Sequence, residues 1–217
     1  MDPVIVFDLG KVLVDFDYTR AAEKISARCA RPPAHDKIFH DLAPRLVEYE
    51  TGLISRHEFF EIVRAATGFL GSPEEFGAYF AKIFSPITPM IELQAALRRQ
   101  GWRTFLFSNT NDLAIEHVRQ DFPFYQNFDG YILSYEVKAM KPEAAIYAAM
   151  EALCGRRGDG IIYIDDRPEN IAAGAARGWR AVLHETPEQT RAELIRLGVE
   201  IRVPEFSGFE TAQKLIV

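Results

Sequence analysis

The sequence predicts an α/β protein in which a Rossmann-like parallel sheet forms the core and an α-helical cap is inserted into it. Short, continuous apolar runs alternate with segments of helical periodicity at the start of the chain and again from about residue 104. Continuous apolarity is typical of strands that are buried on both faces of a parallel sheet. Between residues 15 and 89, by contrast, apolar residues recur at helical spacing only, which predicts a separate helical unit.

Five apolar runs are the predicted strands, at residues 4–7, 104–107, 131–133, 160–164 and 181–183. Helices are predicted between them, at residues 90–100, 112–120, 142–153 and 169–177. Gly101 and Gly178 follow two of these helices, as glycine commonly does at a helix end, and Pro142 takes the first position of a third. The resulting βαβ series predicts neighbouring parallel strands.

The segment from residue 15 to residue 89 is too long for a simple connection between two strands. We therefore divide the chain into a hydrolase-type core of residues 1–14 and 90–217 and a helical cap of residues 15–89. A cap inserted directly after the first strand is expected to cover the ends of the strands. At the end of the chain, residues 204–217 are compatible with a final helix or with a packed extension.

The composition is that of an ordinary acidic domain. The 217 residues are 48% hydrophobic and 26% charged, and the net charge is −6 at pH 7. No cluster of Lys and Arg suits a nucleic-acid backbone, and no apolar stretch approaches the roughly 18 residues of a membrane span. No secretory pattern precedes the first strand, and Cys29 and Cys154 lack metal-type spacing. We expect a cytoplasmic protein, a monomer or weak dimer, that binds a small molecule but neither nucleic acid nor membranes.

Chemically active side chains stand at the ends of the predicted strands. Asp8 directly follows the first strand, Ser108 follows the second, and the pair Asp165–Asp166 follows residues 160–164. Lys141 lies at the start of the helix that begins with the next residue. Each feature alone is equally typical of a turn, a helix cap or a solvated surface. Together they predict one site, because open α/β sheets bind ligands at the carboxyl ends of their strands.

These segments, in this order, resemble the four motifs of the haloacid dehalogenase-like (HAD-like) hydrolase superfamily over nearly the whole chain. The matching segments are residues 7–15 (FDLGKVLVD), 107–110 (FSNT), 141–143 (KPE) and 164–170 (IDDRPEN). The chain is most similar to the phosphatases with a helical cap in the first insertion site, such as glucose-1-phosphate phosphatases and the phosphatase domain of soluble epoxide hydrolase. Residues 49–52 (YETG) and Phe59 resemble the cap signature of that branch.

The resemblance implies a phosphomonoesterase that acts on a small phosphorylated metabolite, such as a sugar phosphate. Asp8 would attack phosphorus and become an aspartyl phosphate, since a carboxylate of ordinary pKa is ionised at pH 7. Bringing two anions together calls for a divalent cation, and Mg²⁺ suits oxygen ligands. The expected ligands are Asp8, the carbonyl group of Gly10 and Asp165.

The same resemblance assigns roles to the remaining motif residues. Ser108, Asn109 and Lys141 would bind the phosphoryl group, and Ser108 and Lys141 would join Asp8 as catalytic residues. Asp166 and Asn170 would orient the metal ion or Lys141. Outside the motifs, Arg45, Tyr49 and Glu50 could contact substrate, but each one is interpreted as a solvated or structural position in the cap.

Gly10 departs from the usual phosphatase pattern, which has a second Asp two positions after the nucleophile to protonate the leaving oxygen. Loss of such an acid typically costs 10²–10⁴-fold in rate for a poor leaving group. One hypothesis is a preference for anomeric or acyl phosphates, whose leaving oxygens are more acidic. Two alternatives to the phosphatase stay open: a metal-independent 2-haloacid dehalogenase, and a catalytically quiet binding module on the same fold.

Overall fold

The structure is a computed structural model that describes residues 2–30 and 35–201, with the backbone alone described for residues 35–41. Its strands are β1 (Val4–Phe7), β2 (Val14–Phe16), β3 (Phe84–Pro86), β4 (Thr104–Ser108), β5 (Gly130–Leu133), β6 (Ile161–Asp165) and β7 (Arg180–Leu183). Five of these form one sheet in the order β5-β4-β1-β6-β7, with every pair of neighbours parallel. The predicted parallel sheet is confirmed.

Four of the helices longer than one turn lie between β2 and β3, and the others follow the later strands. In chain order these helices are α1 (Tyr18–Ser26), α2 (His35–Glu50), α3 (Arg56–Thr67), α4 (Pro73–Ala81), α5 (Thr88–Arg99), α6 (Asp112–Asp121), the short α7 (Ser134–Val137), α8 (Ala144–Cys154), α9 (Pro168–Ala176) and α10 (Pro187–Arg196). Within the described residues, no helix is long and apolar enough to cross a membrane. The predicted extension at residues 204–217 lies outside the described residues.

The continuous apolar run of β1 is explained by burial on both faces of the sheet. Ile5 and Phe7 pack into one hydrophobic cluster with side chains from α5, α6 and α10. Val4 and Val6 pack into a second cluster on the opposite face, which includes α8 and Trp179. Since successive side chains of a strand point to opposite faces, neither set of positions in β1 is free to be polar.

The register of the sheet brings the polar strand ends together. Phe7, the last residue of β1, lies opposite Leu106 in β4 and opposite Ile164 in β6. The next residue, Asp8, donates its backbone N–H to the carbonyl oxygen of Ile164 over 2.9 Å. Asp8 therefore lies between the carboxyl ends of β4 and β6, which end at Ser108 and Asp165.

Helices α1 to α4 share a hydrophobic cluster distinct from the two at the sheet, built mainly from aromatic side chains, to which α6 adds Leu113. Phe59 and Phe60 from α3 contact Phe76 from α4, and Phe76 stacks on Phe80 at 5.7 Å between ring centroids. All four rings are buried, as the helical spacing predicts. A separate cluster supports the proposed helical cap, while its boundaries at residues 15 and 89 stay a prediction.

The sequence shows no convincing buried strand between residues 15 and 89, and the structure has two short, mostly exposed strands at the ends of this segment. Strands β2 and β3 pair in antiparallel fashion, with Val14 opposite Pro86 and Phe16 opposite Phe84. Each strand has three residues, and most of their side chains are at least partly exposed, so neither continuous apolarity nor a clear alternation marks them. This strand pair lies next to both proposed boundaries of the cap.

The third predicted core helix begins later than its proline suggests. Pro142 follows a cis peptide bond from Lys141 and lies in a turn in which the N–H of Glu143 donates to the carbonyl oxygen of Met140 over 2.7 Å. Helix α8 consequently starts at Ala144. Lys141 is thus held by a turn and not by the helix N-terminus that the sequence suggested.

Candidate functional site

Lys141 lies at the centre of the candidate site, and its side chain is only 1% exposed. Its ammonium group donates hydrogen bonds to Asp165 Oδ2 over 2.6 Å and to the carbonyl oxygen of Phe107 over 2.8 Å. It also lies 2.9 Å from Asp8 Oδ1. Burial alone would lower the pKa of Lys141, but the charges of Asp8 and Asp165 outweigh it and raise this pKa. Lys141 is therefore a fixed cation between two carboxylates.

The carboxylate of Asp165 is fully buried, and both of its oxygens have two hydrogen-bond donors. Oδ2 accepts from Lys141 and, over 2.5 Å, from the hydroxyl group of Tyr163. Oδ1 accepts from the backbone N–H of Arg167 over 2.9 Å and from Asn170 Nδ2 over 3.0 Å. A carboxylate offers about four such positions, and all four are taken here. This geometry favours a role for Asp165 in positioning Lys141.

Asp166, the next residue, has a different environment. It lines a cavity of about 240 Å³ at the strand ends together with Asp8 and Lys141, and it is partly exposed. The sequence assignment made Asp165 the metal ligand and Asp166 its support. The hydrogen bonds of Asp165 favour the reverse order, with Asp166 as the side chain that faces the cavity.

The charges of the site fit a divalent cation. Oxygens of Asp8, Asp165 and Asp166 all lie within 4.8 Å of one another, whereas Lys141 is the ammonium buried among them. Burial raises the pKa of Asp8 to about 7 against the effect of Lys141, and burial followed by the charge of Asp165 raises the pKa of Asp166. The expectation that Asp8 has an ordinary pKa is therefore wrong for the metal-free chain. A bound cation would supply the missing positive charge, and Mg²⁺ suits such an oxygen-rich site.

The side chains of Ser108 and Asn109 lie beside this cluster and have different hydrogen-bond partners. Ser108 is 2% exposed and lines the cavity. The side chain of Asn109 clamps the backbone of Lys141, because its Oδ1 accepts from the N–H of Lys141 over 2.8 Å and its Nδ2 donates to the carbonyl oxygen over 2.9 Å. The Ser108 hydroxyl group donates to the carbonyl oxygen of Asn109 over 3.3 Å, and the Asn109 side chain is committed to holding Lys141 in place.

The ring of Phe16 packs against Gly10, which lies two residues after Asp8. A Cβ atom at residue 10 would lie 2.9 Å from Phe16 Cε1, closer than carbon atoms normally approach. Lys11 follows with a φ of 58° and forms an ion pair with Asp15. The site therefore has no room beside Phe16, as placed, for the second carboxylate that phosphatases usually carry.

The cavity also has walls that the sequence analysis did not assign to the site. Phe16, Tyr18, Glu50, Phe84 and Arg167 line it opposite or beside the motif residues. None of them directly follows a buried apolar strand, so the strand-end signal that identifies Asp8 does not apply to them.

The interpretation of Arg45 and Tyr49 as solvated or structural residues is consistent with the structure. Exposed Arg45 pairs with Glu48, and buried Tyr49 forms a hydrogen bond to Asp112.

Comparisons with known proteins agree with this architecture. A family model for haloacid dehalogenase-like hydrolases matches residues 3–178. A HAD family enzyme from Bacteroides thetaiotaomicron has 26% sequence identity and a TM-score of 0.77, covering 85% of this chain and 94% of that one. The same enzyme has been solved in complex with magnesium and inorganic phosphate, and that structure matches with 25% identity, a TM-score of 0.71 and coverage of 85% and 95%.

Two less similar structures share the fold. A predicted HAD-like family hydrolase from Porphyromonas gingivalis has 23% identity and a TM-score of 0.77, covering 92% of this chain and 99% of that one. The L-2-haloacid dehalogenase from Xanthobacter autotrophicus, with chloropropionic acid covalently bound, has 17% identity and a TM-score of 0.59, covering 90% and 83%. One architecture thus carries more than one reaction, and the residues of the site must distinguish them.

Proposed function

Because the chain belongs to the haloacid dehalogenase-like hydrolases, we propose that it is a Mg²⁺-dependent phosphomonoesterase of small phosphorylated metabolites, sugar phosphates among them. The observation that carries this proposal is the cluster of three carboxylates near the buried ammonium of Lys141. The magnesium and phosphate complex of the related Bacteroides enzyme supports it. The cavity of about 240 Å³ suits a small substrate.

The proposed nucleophile is Asp8 Oδ2. In the structure Oδ1 accepts from the N–H of Leu9 over 2.7 Å and pairs with Lys141, which leaves the other oxygen for attack. As the bond from Oδ2 to phosphorus forms, the bond from phosphorus to the leaving oxygen breaks, and an aspartyl phosphate results. Water then attacks phosphorus, releasing phosphate and restoring Asp8. Ser108 and Lys141 stabilise charge on the transferred group.

In this proposal Asp8, the carbonyl oxygen of Gly10 and Asp166 would hold Mg²⁺. The ion would screen the charge repulsion between the nucleophile and the substrate phosphate. Asp165 keeps Lys141 in place through its 2.6 Å hydrogen bond, and Asn170 and Arg167 hold Asp165 in turn. Asn109 fixes the backbone of Lys141.

A dehalogenase is the second candidate, and the charge of the site argues against it. A metal-free site that binds an anionic haloacid gains nothing from Asp165 and Asp166 beside the nucleophile, because like charges repel. The fold likeness to the Xanthobacter enzyme does not bear on the reaction at 17% identity.

Phosphate release from a panel of anomeric, primary-alcohol and nucleotide monophosphates tests the proposal, in Mg²⁺ and in EDTA. We expect release that requires Mg²⁺ and is lost in Asp8→Asn. Release of halide from 2-chloropropionate in EDTA would replace the phosphatase with the dehalogenase. The absence of both products would favour a binding module.

A further inference from the structure

We propose that Glu50, at the end of helix α2, is the general acid and base that serves the leaving oxygen in place of the carboxylate missing at Gly10. This inference rests on the phosphatase function proposed above. It assigns a catalytic role to a cap residue that the sequence analysis interpreted as solvated or structural.

The chemistry needs a proton donor that the core does not supply. Asp8 is the nucleophile, Asp166 faces the proposed metal position, and both oxygens of Asp165 are fully hydrogen-bonded. Phe16 fills the space beside Gly10 where a further side chain would begin. Among the described residues that line the cavity, Glu50 is the acidic side chain that remains.

The position of Glu50 suits the leaving group. In a direct displacement the leaving oxygen lies opposite the attacking oxygen of Asp8, so it points away from the strand ends and toward the helices that cover them. Glu50, the last residue of α2, lines the same cavity as Asp8 and belongs to one of these helices. The carbonyl group of Glu50 accepts a 2.5 Å hydrogen bond from Ser134 Oγ, which also accepts the N–H of Thr110 over 2.9 Å. The end of α2 is thereby anchored to the loop that follows Ser108.

The electrostatic environment supports both protonation states of Glu50. Burial raises its pKa to about 7, and the opposing charge is the guanidinium of Arg167 at the start of α9. Tyr18 from α1 also lies close to Glu50, and burial followed by the charge of Glu50 raises the pKa of this phenol, so that it stays neutral. Other charged residues that line the cavity are Asp8 and Asp166, which are acidic, and Lys11 and Lys141, which are basic. A general acid and base works best with a pKa near the working pH.

The proton balance closes over one turnover. Protonated Glu50 gives its proton to the leaving oxygen as the bond between that oxygen and phosphorus breaks, and an alcohol departs. The Glu50 carboxylate then takes a proton from the water that attacks the aspartyl phosphate. Phosphate leaves, Asp8 is regenerated and Glu50 is protonated again.

The test compares Glu50→Gln with Glu48→Gln, a control on the same helix that pairs with Arg45 outside the cavity. The substrates are glycerol phosphate, with a poor leaving group, and p-nitrophenyl phosphate, whose leaving phenol needs no proton. For Glu50→Gln we expect kcat/KM to fall by about 10²–10⁴-fold on glycerol phosphate and by less than about tenfold on p-nitrophenyl phosphate. Its kcat on p-nitrophenyl phosphate falls after an initial burst of nitrophenol, because attack by water has lost its base. Glu48→Gln is expected to match the wild type.

A pH profile and a second variant separate catalysis from structure. In the wild type with saturating Mg²⁺, which would keep Asp8 ionised, kcat/KM for glycerol phosphate should fall as the pH rises through about 7 and Glu50 loses its proton, and this fall should vanish in Glu50→Gln. Glu50→Asp, which keeps a carboxyl group on a shorter side chain, should fall between wild type and Glu50→Gln. Equal losses of kcat/KM on both substrates, or an unchanged pH profile, would overturn the assignment of Glu50. Wild-type protein that releases no phosphate from any substrate in Mg²⁺ would instead overturn the phosphatase function itself.

Discussion

Replacing Tyr163 with Phe removes one of the four hydrogen bonds that engage Asp165. The ring is fully buried and the substitution keeps its shape, so the main change is the loss of the 2.5 Å bond to Asp165 Oδ2. A hydrogen bond to a charged group contributes about 2 kcal/mol, and Asp165 keeps three other donors. We expect Tyr163→Phe to lower the free energy of unfolding in urea by about 2 kcal/mol.

Tyr147→Phe is the matched control, since its ring is equally buried in the same cluster. Its hydroxyl group donates over 2.8 Å to the backbone carbonyl oxygen of Asn170, an uncharged acceptor. The expected loss is about 1 kcal/mol. A loss for Tyr163→Phe that does not exceed that for Tyr147→Phe would refute the reasoning about Asp165.

The affinity for Mg²⁺, measured by titration calorimetry, adds a second readout for Tyr163→Phe. Removing a partner that supports a metal ligand typically lowers affinity by about 10–100-fold. We expect a much smaller change, because Asp165 in our proposal holds Lys141 and does not bind the metal. A loss of 10-fold or more would restore Asp165 as the ligand.

Three further predictions concern the site, the backbone and pH. In Mg²⁺ titrations, Asp166→Asn should bind Mg²⁺ more weakly than Asp165→Asn. In urea, Asp165→Asn should be the less stable of the two variants. The opposite order of affinity or of stability would contradict our assignment. Gly52 and Gly68 have nearly the same φ, +66° and +67°. A Cβ atom added at Gly52 would clash with the backbone carbonyl oxygen of Tyr135, whereas one added at Gly68 would meet nothing within 4 Å. Urea unfolding should therefore show Gly68→Ala to cost about 1 kcal/mol and Gly52→Ala about 3 kcal/mol, and equal costs would exclude the clash. Burial lowers the pKa of His184 from 6.5, so unfolding takes up a proton and stability should fall as the pH drops below about 6.5 toward the folded-state pKa. Urea titrations over that pH range should show a smaller loss of stability for His184→Asn than for the wild type. An equal loss in both proteins would mean that other groups cause the decline.

The elements that sequence analysis predicts well are those with a continuous apolar signal. The three inner strands β1, β4 and β6 are buried along their whole length, and their side chains are therefore mostly apolar, as in Val4–Phe7. The paired strands β2 and β3 lack such burial and were missed. The start of α8 was misplaced because Pro142 is equally compatible with a helix start and with the turn in which it lies.

The sequence by itself determined the family and brought Asp8, Ser108, Lys141 and the Asp165–Asp166 pair to one edge, because parallel strands align their carboxyl ends. It could not decide between the two neighbouring carboxylates, since consecutive residues at a strand end point in different directions and only packing shows which one faces the cavity. Nor could it show that Glu50, which is 42 positions after Asp8 in the chain, lines the same cavity as Asp8. That placement depends on how α2 packs against the core, and such contacts between distant segments leave no periodic signal in the residues that make them.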